Sequence, residues 1–250
     1  MIELSNLSVA FRAPGSGTKT VLNDVSLSVP KGALYALVGP GASGKSVLLK
    51  TLAGLLPITS GSVVVGSSDV GAMSEIARQE YRATLGFLFQ NYALFDTLSV
   101  LDNVAFPLRR EGKQSEDHIV ARARERLSAV SLSGFEDRLP GGLSGGQKKR
   151  VGVARATVKG ADVLLYDEPA AGLDPVTSQK IFDMLRREQQ ASGATVIMVS
   201  SDLDRMLPTA DYVGMLYRGE LLFNGTRDEA LACTEPHVRQ FVHGLAEGPL

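Results

Sequence analysis

Eight residues near the start of this chain leave it few ways to fold. Gly39-Pro40-Gly41-Ala42-Ser43-Gly44-Lys45-Ser46 has the spacing Gly-x4-Gly-Lys-Ser. It follows the apolar run Ala33-Leu34-Tyr35-Ala36-Leu37-Val38, which reads as a buried strand, and it opens a helix predicted over 45–55. That strand–loop–helix context is what the motif requires. Glycines let backbone N–H groups approach phosphate oxygens, and a helix start adds positive potential. On this reading Gly39 to Gly44 and Val47 line a phosphate site, Lys45 reaches the β- and γ-phosphates, and Ser46 ligates magnesium. Gly39, Gly41 and Gly44 also fit the dinucleotide pattern Gly-x-Gly-x-x-Gly, with Asp69 downstream as a ribose ligand. Lys45-Ser46 exceeds what a dinucleotide needs and favours a nucleoside triphosphate.

Composition narrows the class. The chain has 250 residues, 44% of them hydrophobic, enough for a large folded core and too many for wholesale disorder. Its 26 Lys and Arg nearly balance 27 Asp and Glu, which argues against binding polyanions by bulk charge, so no nucleic-acid partner is expected. One cysteine, Cys233, forms no internal disulfide and suits a reducing compartment. The chain has no apolar run of about 18 residues, and Met1-Ile2-Glu3-Leu4 does not begin a secretory signal, so a cytoplasmic setting is expected.

Strands alternate with helices. Strands are predicted at 2–11, 25–29, 33–38, 63–65, 85–89, 163–166, 195–199, 212–217 and 220–224, with a loop at 13–19. Helices are predicted at 45–55, 75–84, 115–130, 145–158 and 236–243, and another starts at Asp174-Pro175, a cap followed by a first-turn proline. Mostly helical sequence over about 91–145 interrupts the α/β alternation. The basic cluster Lys148-Lys149-Arg150 reads as a solvated helix face.

Two further segments carry chemistry. Ala161 to Glu168 is an apolar strand ending in two carboxylates, where Asp167 can hold Mg²⁺ and Glu168 can polarise water. Leu143-Ser144-Gly145-Gly146-Gln147 places small residues before a helix, either as a capping loop or as a second anion site.

The phosphate loop, Gln90, Leu-Ser-Gly-Gly-Gln and Asp167-Glu168-Pro169, in that order, resemble the ATP-binding cassette (ABC) ATPases over essentially the whole chain. The resemblance implies an α/β fold: a P-loop NTPase core of ABC type, an antiparallel β-subdomain and an inserted helical subdomain. It implies one domain, with catalytic core and β-subdomain at 1–90 and 160–230, a helical subdomain with the signature motif at 91–159, and a tail at 231–250. It implies ATP and Mg²⁺, the metal held by Ser46, Gln90 and Asp167. Phe11 then stacks on adenine, and Gln90 senses a membrane partner. Ser144, Gly145, Gly146 and Gln147 bind the ATP of a second copy, Glu168 polarises the attacking water, and Asp174 lies in the loop that crosses the dimer interface. Two ATP molecules are sandwiched in a homodimer.

One position departs from the family pattern. After the strand 195–199 the family carries a histidine, and here the chain reads Ser200-Ser201-Asp202, so Ser201 takes that place. Hydrolysis is then slow but real, or the chain is mainly a nucleotide-dependent clamp.

The stretch Phe87 to Asp96, continuing through Leu98-Ser99-Val100 to Leu108, resembles ATPases of the Mla/MCE phospholipid transport systems, as does the tail from Pro236 to Pro249. This implies an integral-membrane permease, an MCE-domain protein and in some members a small STAS-domain protein as partners, with the ATPase peripheral on the inner face of the cell membrane. Tyr92, Leu94 and Phe95 either face a permease helix or pack on the helical subdomain. Other readings stay open: an ABC ATPase for another cargo, a soluble cassette protein, or a regulatory nucleotide-binding module.

Overall fold

Alternation along one short strand sets the layering. In the computed structural model, which describes residues 1–13, 17–90 and 92–250, β1 (Ile2–Ala13), β2 (Gly17–Val29) and β3 (Leu34–Val38) come first. β3 is buried at every position. Leu34, Ala36 and Val38 join one apolar cluster, and Tyr35 and Leu37 join another on the opposite face. A strand covered on both faces must be apolar throughout, which is why its run stands out in the sequence.

After β3 come α1 (Lys45–Leu52), β4 (Ser60–Val65), β5 (Ser68–Asp69), α2 (Glu75–Thr84) and β6 (Leu85–Leu88). Next are α3 (Val100–Glu111), α4 (Glu116–Ala129), α5 (Gly145–Thr157), β7 (Val163–Asp167), α6 (Pro175–Ser192) and β8 (Thr195–Val199). The chain ends with α7 (Leu203–Met206), β9 (Tyr212–Tyr217), β10 (Glu220–Thr226), α8 (Arg227–Ala232) and α9 (Pro236–His243). Six strands form a sheet in the order β10-β9-β3-β8-β7-β6, parallel except for β10. A second, antiparallel sheet has the order β2-β1-β4-β5. The cluster holding Tyr35 and Leu37 also takes Leu4, Leu22 and Val63 from this second sheet. The other cluster joins β3 to α3, α4 and α5 through Val104, Ile119, Leu127 and Val153.

Three sequence expectations need correction. Of the loop expected at 13–19, residues 14–16 lie outside the described residues, as does Asn91, but Gly17, Thr18 and Lys19 belong to β2. The strand was hidden by the turn-forming run Ala13-Pro14-Gly15-Ser16-Gly17. Farther along the same pair of strands, Asn6 and Asp24 sit left-handed, at φ 50° and 52°, and the Asn6 amide donates to Asp24 Oδ1 at 2.7 Å. They occupy an irregularity in the β1–β2 ladder rather than a hairpin end. α3 was not assigned as a separate helix because Pro107 lies inside it and blurs its period. The spacing Ser99-x-x-Asp102 marked its start, since Ser99 Oγ caps it by accepting from the Asp102 N–H at 3.0 Å. The cluster Lys148-Lys149-Arg150 is no solvated face: Lys149 is 4% exposed, and Arg150 donates to the carbonyls of Val130 and Ser131.

Among the described residues no helix is long and apolar enough to cross a membrane. The end helix α9 lays Val238 and Val242 onto the core.

Candidate functional site

The register of the large sheet assembles the site. Leu37 of β3 pairs with Val199 of β8, and Val199 pairs with Asp167 of β7. The carboxyl ends of three adjacent parallel strands therefore present Gly39, Ser200-Ser201 and Asp167-Glu168 side by side. This is the edge at which open α/β sheets bind ligands.

The loop after β3 is shaped by backbone that side chains would disrupt. Gly39 has φ 140° and Gly44 φ 106°. A Cβ on Gly39 would stand 2.0 Å from the Leu216 carbonyl oxygen, and one on Gly44 would stand 2.6 Å from Leu22 Cδ2. The loop delivers the chain into α1, whose cap residue Gly44 offers no side chain. Every other helix of eight or more residues among the described residues has a side-chain cap. The first amides of α1 thus have neither an intrahelical nor a capping partner within the chain, a concentration of donors suited to an anion.

Lys45 stands inside this ring. Its Nζ donates to the carbonyls of Gly39 and Pro40, both at 2.7 Å, and to Ser43 Oγ at 3.3 Å. Burial lowers the Lys45 pKa, and the charges of Glu168 and Asp167 oppose that shift. Beside the loop runs a groove of about 460 Å³. Lys19, Thr20, Val21 and Arg218 wall it opposite Ala42–Val47. Sequence reading missed these four residues, since β2 was not traced that far and Arg218 belongs to no motif. Phe11 is not among the lining residues. It is partly buried, packs against the cluster between the sheets, and pairs across the ladder with Lys19.

Asp167 is 3% exposed and accepts a hydrogen bond from Ser46 Oγ at 3.1 Å. Burial raises its pKa, while the Ser46 hydrogen bond, Lys50 and Lys45 pull it back. A buried carboxylate touching a hydroxyl, with its charge under-compensated, suits a hard divalent cation that prefers oxygen ligands. The donor set therefore fits Mg²⁺.

Glu168 holds a strained position. Its φ is 56°, unfavourable for a residue with a Cβ. The strain is held by its N–H, which donates to the Val199 carbonyl at 2.9 Å. On its carboxylate, Oε2 accepts from both the N–H and the hydroxyl of Ser201, each at 3.1 Å. A carboxylate fixed in this way can accept a proton from water beside the phosphate loop.

Gln90 lies exposed in a turn just beyond β6. Tyr92 and Ala93 follow with φ 58° and 49°, and Arg155 of α5 clasps this turn by donating to both carbonyls. Leu94 packs on the core cluster. Phe95 is 41% exposed and tilts against Phe106, with centroids 4.6 Å apart.

Ser144 and Gln147 begin α5 with a reciprocal cap: Ser144 Oγ accepts from the Gln147 N–H, and Gln147 Oε1 accepts from the Ser144 N–H at 2.9 Å. Gly145 is exposed, and a Cβ there would meet nothing of this chain within 4 Å. Gly146 faces Leu173, whose Cδ2 would lie 3.0 Å from its Cβ. Asp174 caps α6, accepting from the N–H groups of Val176 and Thr177; the Thr177 side chain first, then these N–H groups, hold its carboxyl below the ordinary range.

The family profile described as "ABC transporter" matches residues 22–171. The chain belongs to the ABC transporter family. This ABC domain is an ATPase. Over 249 residues, the whole chain and 68% of the relative, it is 38% identical to "Probable ribonucleotide transport ATP-binding protein mkl" of Mycobacterium tuberculosis strain ATCC 25618 / H37Rv. Over 250 residues, the whole chain and 93% of the relative, it is 34% identical to "Intermembrane phospholipid transport system ATP-binding protein MlaF" of Haemophilus influenzae. Its fold is similar to that of the ABC cassette MJ0796 in a dimeric structure bound to ADP and Pi, with a TM-score of 0.86, 29% identity, and coverage of 91% of this chain and 99% of that one.

Proposed function

We propose that this chain is the ATP-hydrolysing subunit of an ABC transporter that moves phospholipid between membranes. The observation that carries the cargo is the similarity to an MlaF protein along all 250 residues, tail included. The working unit is a homodimer with two ATP molecules between the subunits, a reading supported by the similarity to the dimeric MJ0796 cassette. It acts as one domain, with catalytic core and β-subdomain at 1–90 and 160–230, the signature-bearing helical part at 91–159 and the tail at 231–250. It sits in the cytoplasm, peripheral on the inner face of the membrane, beneath an integral-membrane permease, with an MCE-domain protein and a small STAS-domain protein as further partners. Half-exposed Phe95, five residues after Gln90, is the side chain of that loop that meets the permease.

In this reading the bare amides of α1, Gly39–Gly44, Lys45 and Val47 bind the ATP phosphates, and Phe11 lies at the adenine end with the Lys19–Val21 edge. Ser46, Gln90 and Asp167 hold Mg²⁺, which when bound supplies positive charge to phosphate oxygens. Glu168 polarises the attacking water, kept on one bearing by Ser201 and by its own strained backbone. Ser144, Gly145, Gly146 and Gln147 meet the γ-phosphate of the partner copy's ATP; an exposed Gly145 with open space where its Cβ would be supports a ligand from outside the chain. Asp174 ends the loop that reaches the partner. Because Ser201 is a neutral donor in place of an imidazole, hydrolysis is slow but real; losing one aligned transition-state donor costs about 10²–10³ in rate.

A second cargo has its own support: mkl, at 38% identity, is described as a ribonucleotide transport protein. Tagging the chain, solubilising membranes gently and identifying co-purifying proteins by mass spectrometry separates the two. A permease with an MCE-domain protein supports phospholipid transport. A permease with a nucleotide-binding partner moves the cargo, and no membrane protein at all defeats the transporter reading.

A further inference from the structure

Gly146, Lys149, Gly152 and Arg155 follow one another at three-residue steps along α5, a row that winds by about 60° per step round the helix. Gly146 faces Leu173. Gly152 faces Leu88 and Tyr92, whose Cδ1 and Cβ would lie 2.9 and 3.5 Å from a Cβ there. Arg155 clasps the carbonyls of Tyr92 and Ala93. This row therefore winds from the turn that runs from Glu168 to Leu173 to the turn after Gln90. In its middle stands Lys149, a residue 4% exposed. Lys149 Nζ is 5.6 Å from the centroid of the Tyr92 ring and 4.0 Å from where a Cβ of Gly172 would stand.

A lysine with so little exposed surface is unusual, and its stem is what the two turns cover. The turn it touches is tight: Ala171 N–H donates to Glu168 O at 3.4 Å and Leu173 N–H to Ala170 O at 3.1 Å. Whatever anchors Gly172 therefore anchors the backbone of Glu168. Burial lowers the Lys149 pKa, and the Glu168 carboxylate is the charge that opposes this.

We propose that Lys149 is a positioning residue for hydrolysis: its ammonium ties the Glu168–Leu173 turn, at Gly172, and the Tyr92 ring to α5, and sets a positive charge beside the turn that carries Glu168. Ser201 holds that carboxylate through neutral donors alone, so Lys149 brings the charge that a serine lacks. Preorganised charge of this kind acts on the rate of the chemical step and leaves substrate binding largely untouched. The inference rests on Glu168 as the residue that polarises water.

The test compares Lys149→Met and Lys149→Arg with the unaltered full chain in steady-state Mg-ATP turnover, with thermal unfolding alongside. Met keeps length and loses charge; Arg keeps charge and stacks on an aromatic face. The expected result is a kcat about tenfold lower in Lys149→Met with KM within about twofold, recovery to at least about a third of the original kcat in Lys149→Arg, and a Tm for the Met variant equal to or above the original. An unchanged kcat in Lys149→Met overturns the proposal. So does a loss that Arg does not restore and that tracks a lowered Tm, since that marks a packing role. Glu168→Gln is run beside them. If it is inactive and Lys149→Met is unaffected, the inference alone fails; if Glu168→Gln turns over ATP normally, both readings fail together.

Discussion

Ser201 gives both of its donors to one atom: its N–H and its hydroxyl each reach Glu168 Oε2 at 3.1 Å. In the proposed reading the other carboxylate oxygen, Oε1, serves the water. A residue standing where the family carries a histidine is thus joined to the group that the proposed chemistry needs most.

The two bonds are separable. Ser201→Ala removes the hydroxyl and keeps the N–H, so turnover should fall about tenfold, in line with one hydrogen bond to a charged acceptor. Ser201→His should raise turnover above the original by restoring an aligned donor, by at most about 10²–10³. Phosphate release under saturating ATP measures both. A histidine variant no faster than the original chain would show that Ser201 is not what limits the rate.

Glu168→Gln keeps the size of the side chain and its capacity to accept from Ser201. It removes the negative charge that polarises water. Turnover should drop by about 10²–10⁴, while ATP binding persists and the dimer becomes longer-lived. Nucleotide retention and size-exclusion chromatography with ATP read the two effects separately.

Gly145 separates stability from function. Since a Cβ there touches nothing in this chain and the residue is helical, Gly145→Ala should stabilise the fold by about 0.5–1 kcal/mol. ATP turnover should nevertheless fall at least tenfold, because the added methyl lies where a second copy's phosphate is proposed to bind. Denaturant unfolding and turnover on the same preparation check it. A fully active variant removes Gly145 from the ATP site.

Asp167 predicts a pH-dependent effect on stability. Its pKa is raised in the fold by burial. A raised folded pKa favours folding below the ordinary Asp value, about 3.9, and that contribution is lost as pH rises through the folded value. At pH 7 the fold therefore carries an unfavourable buried charge that Asp167→Asn removes. Without nucleotide or metal, the Asn variant should melt a few degrees higher at pH 7, and the gap should close as pH falls below about 4. Thermal melts across pH check the sign, and the variant should lose Mg-dependent turnover.

Much of this was legible in sequence for identifiable reasons. β8, β9, α2 and α9 fall where their patterns place them, because buried strands must be apolar and Ser74 and Pro236 punctuate the two helix starts. The phosphate loop was legible because Gly39 and Gly44 admit no other residue. What escaped is relational. The start of β2 hid in Gly17-Thr18-Lys19, which reads as the end of a turn until its ladder with β1 is seen. Lys149 looks like one cation of an exposed trio until α5 is laid between two loops. Phe11 carries an aromatic ring suited to adenine, yet the groove is walled by Lys19, Thr20, Val21 and Arg218, whose positions depend on how β2 meets the turn after β9.

One consequence follows from α1, the helix that begins without a cap. Among the described residues the other long helices are completed by the chain's own side chains; in the proposed reading this one is completed by its guest. Resistance to unfolding then becomes a gauge of nucleotide supply, rising by about 2.7 kcal/mol when free ligand reaches a hundred times its Kd. The chain should be most easily unfolded and degraded when its fuel runs low.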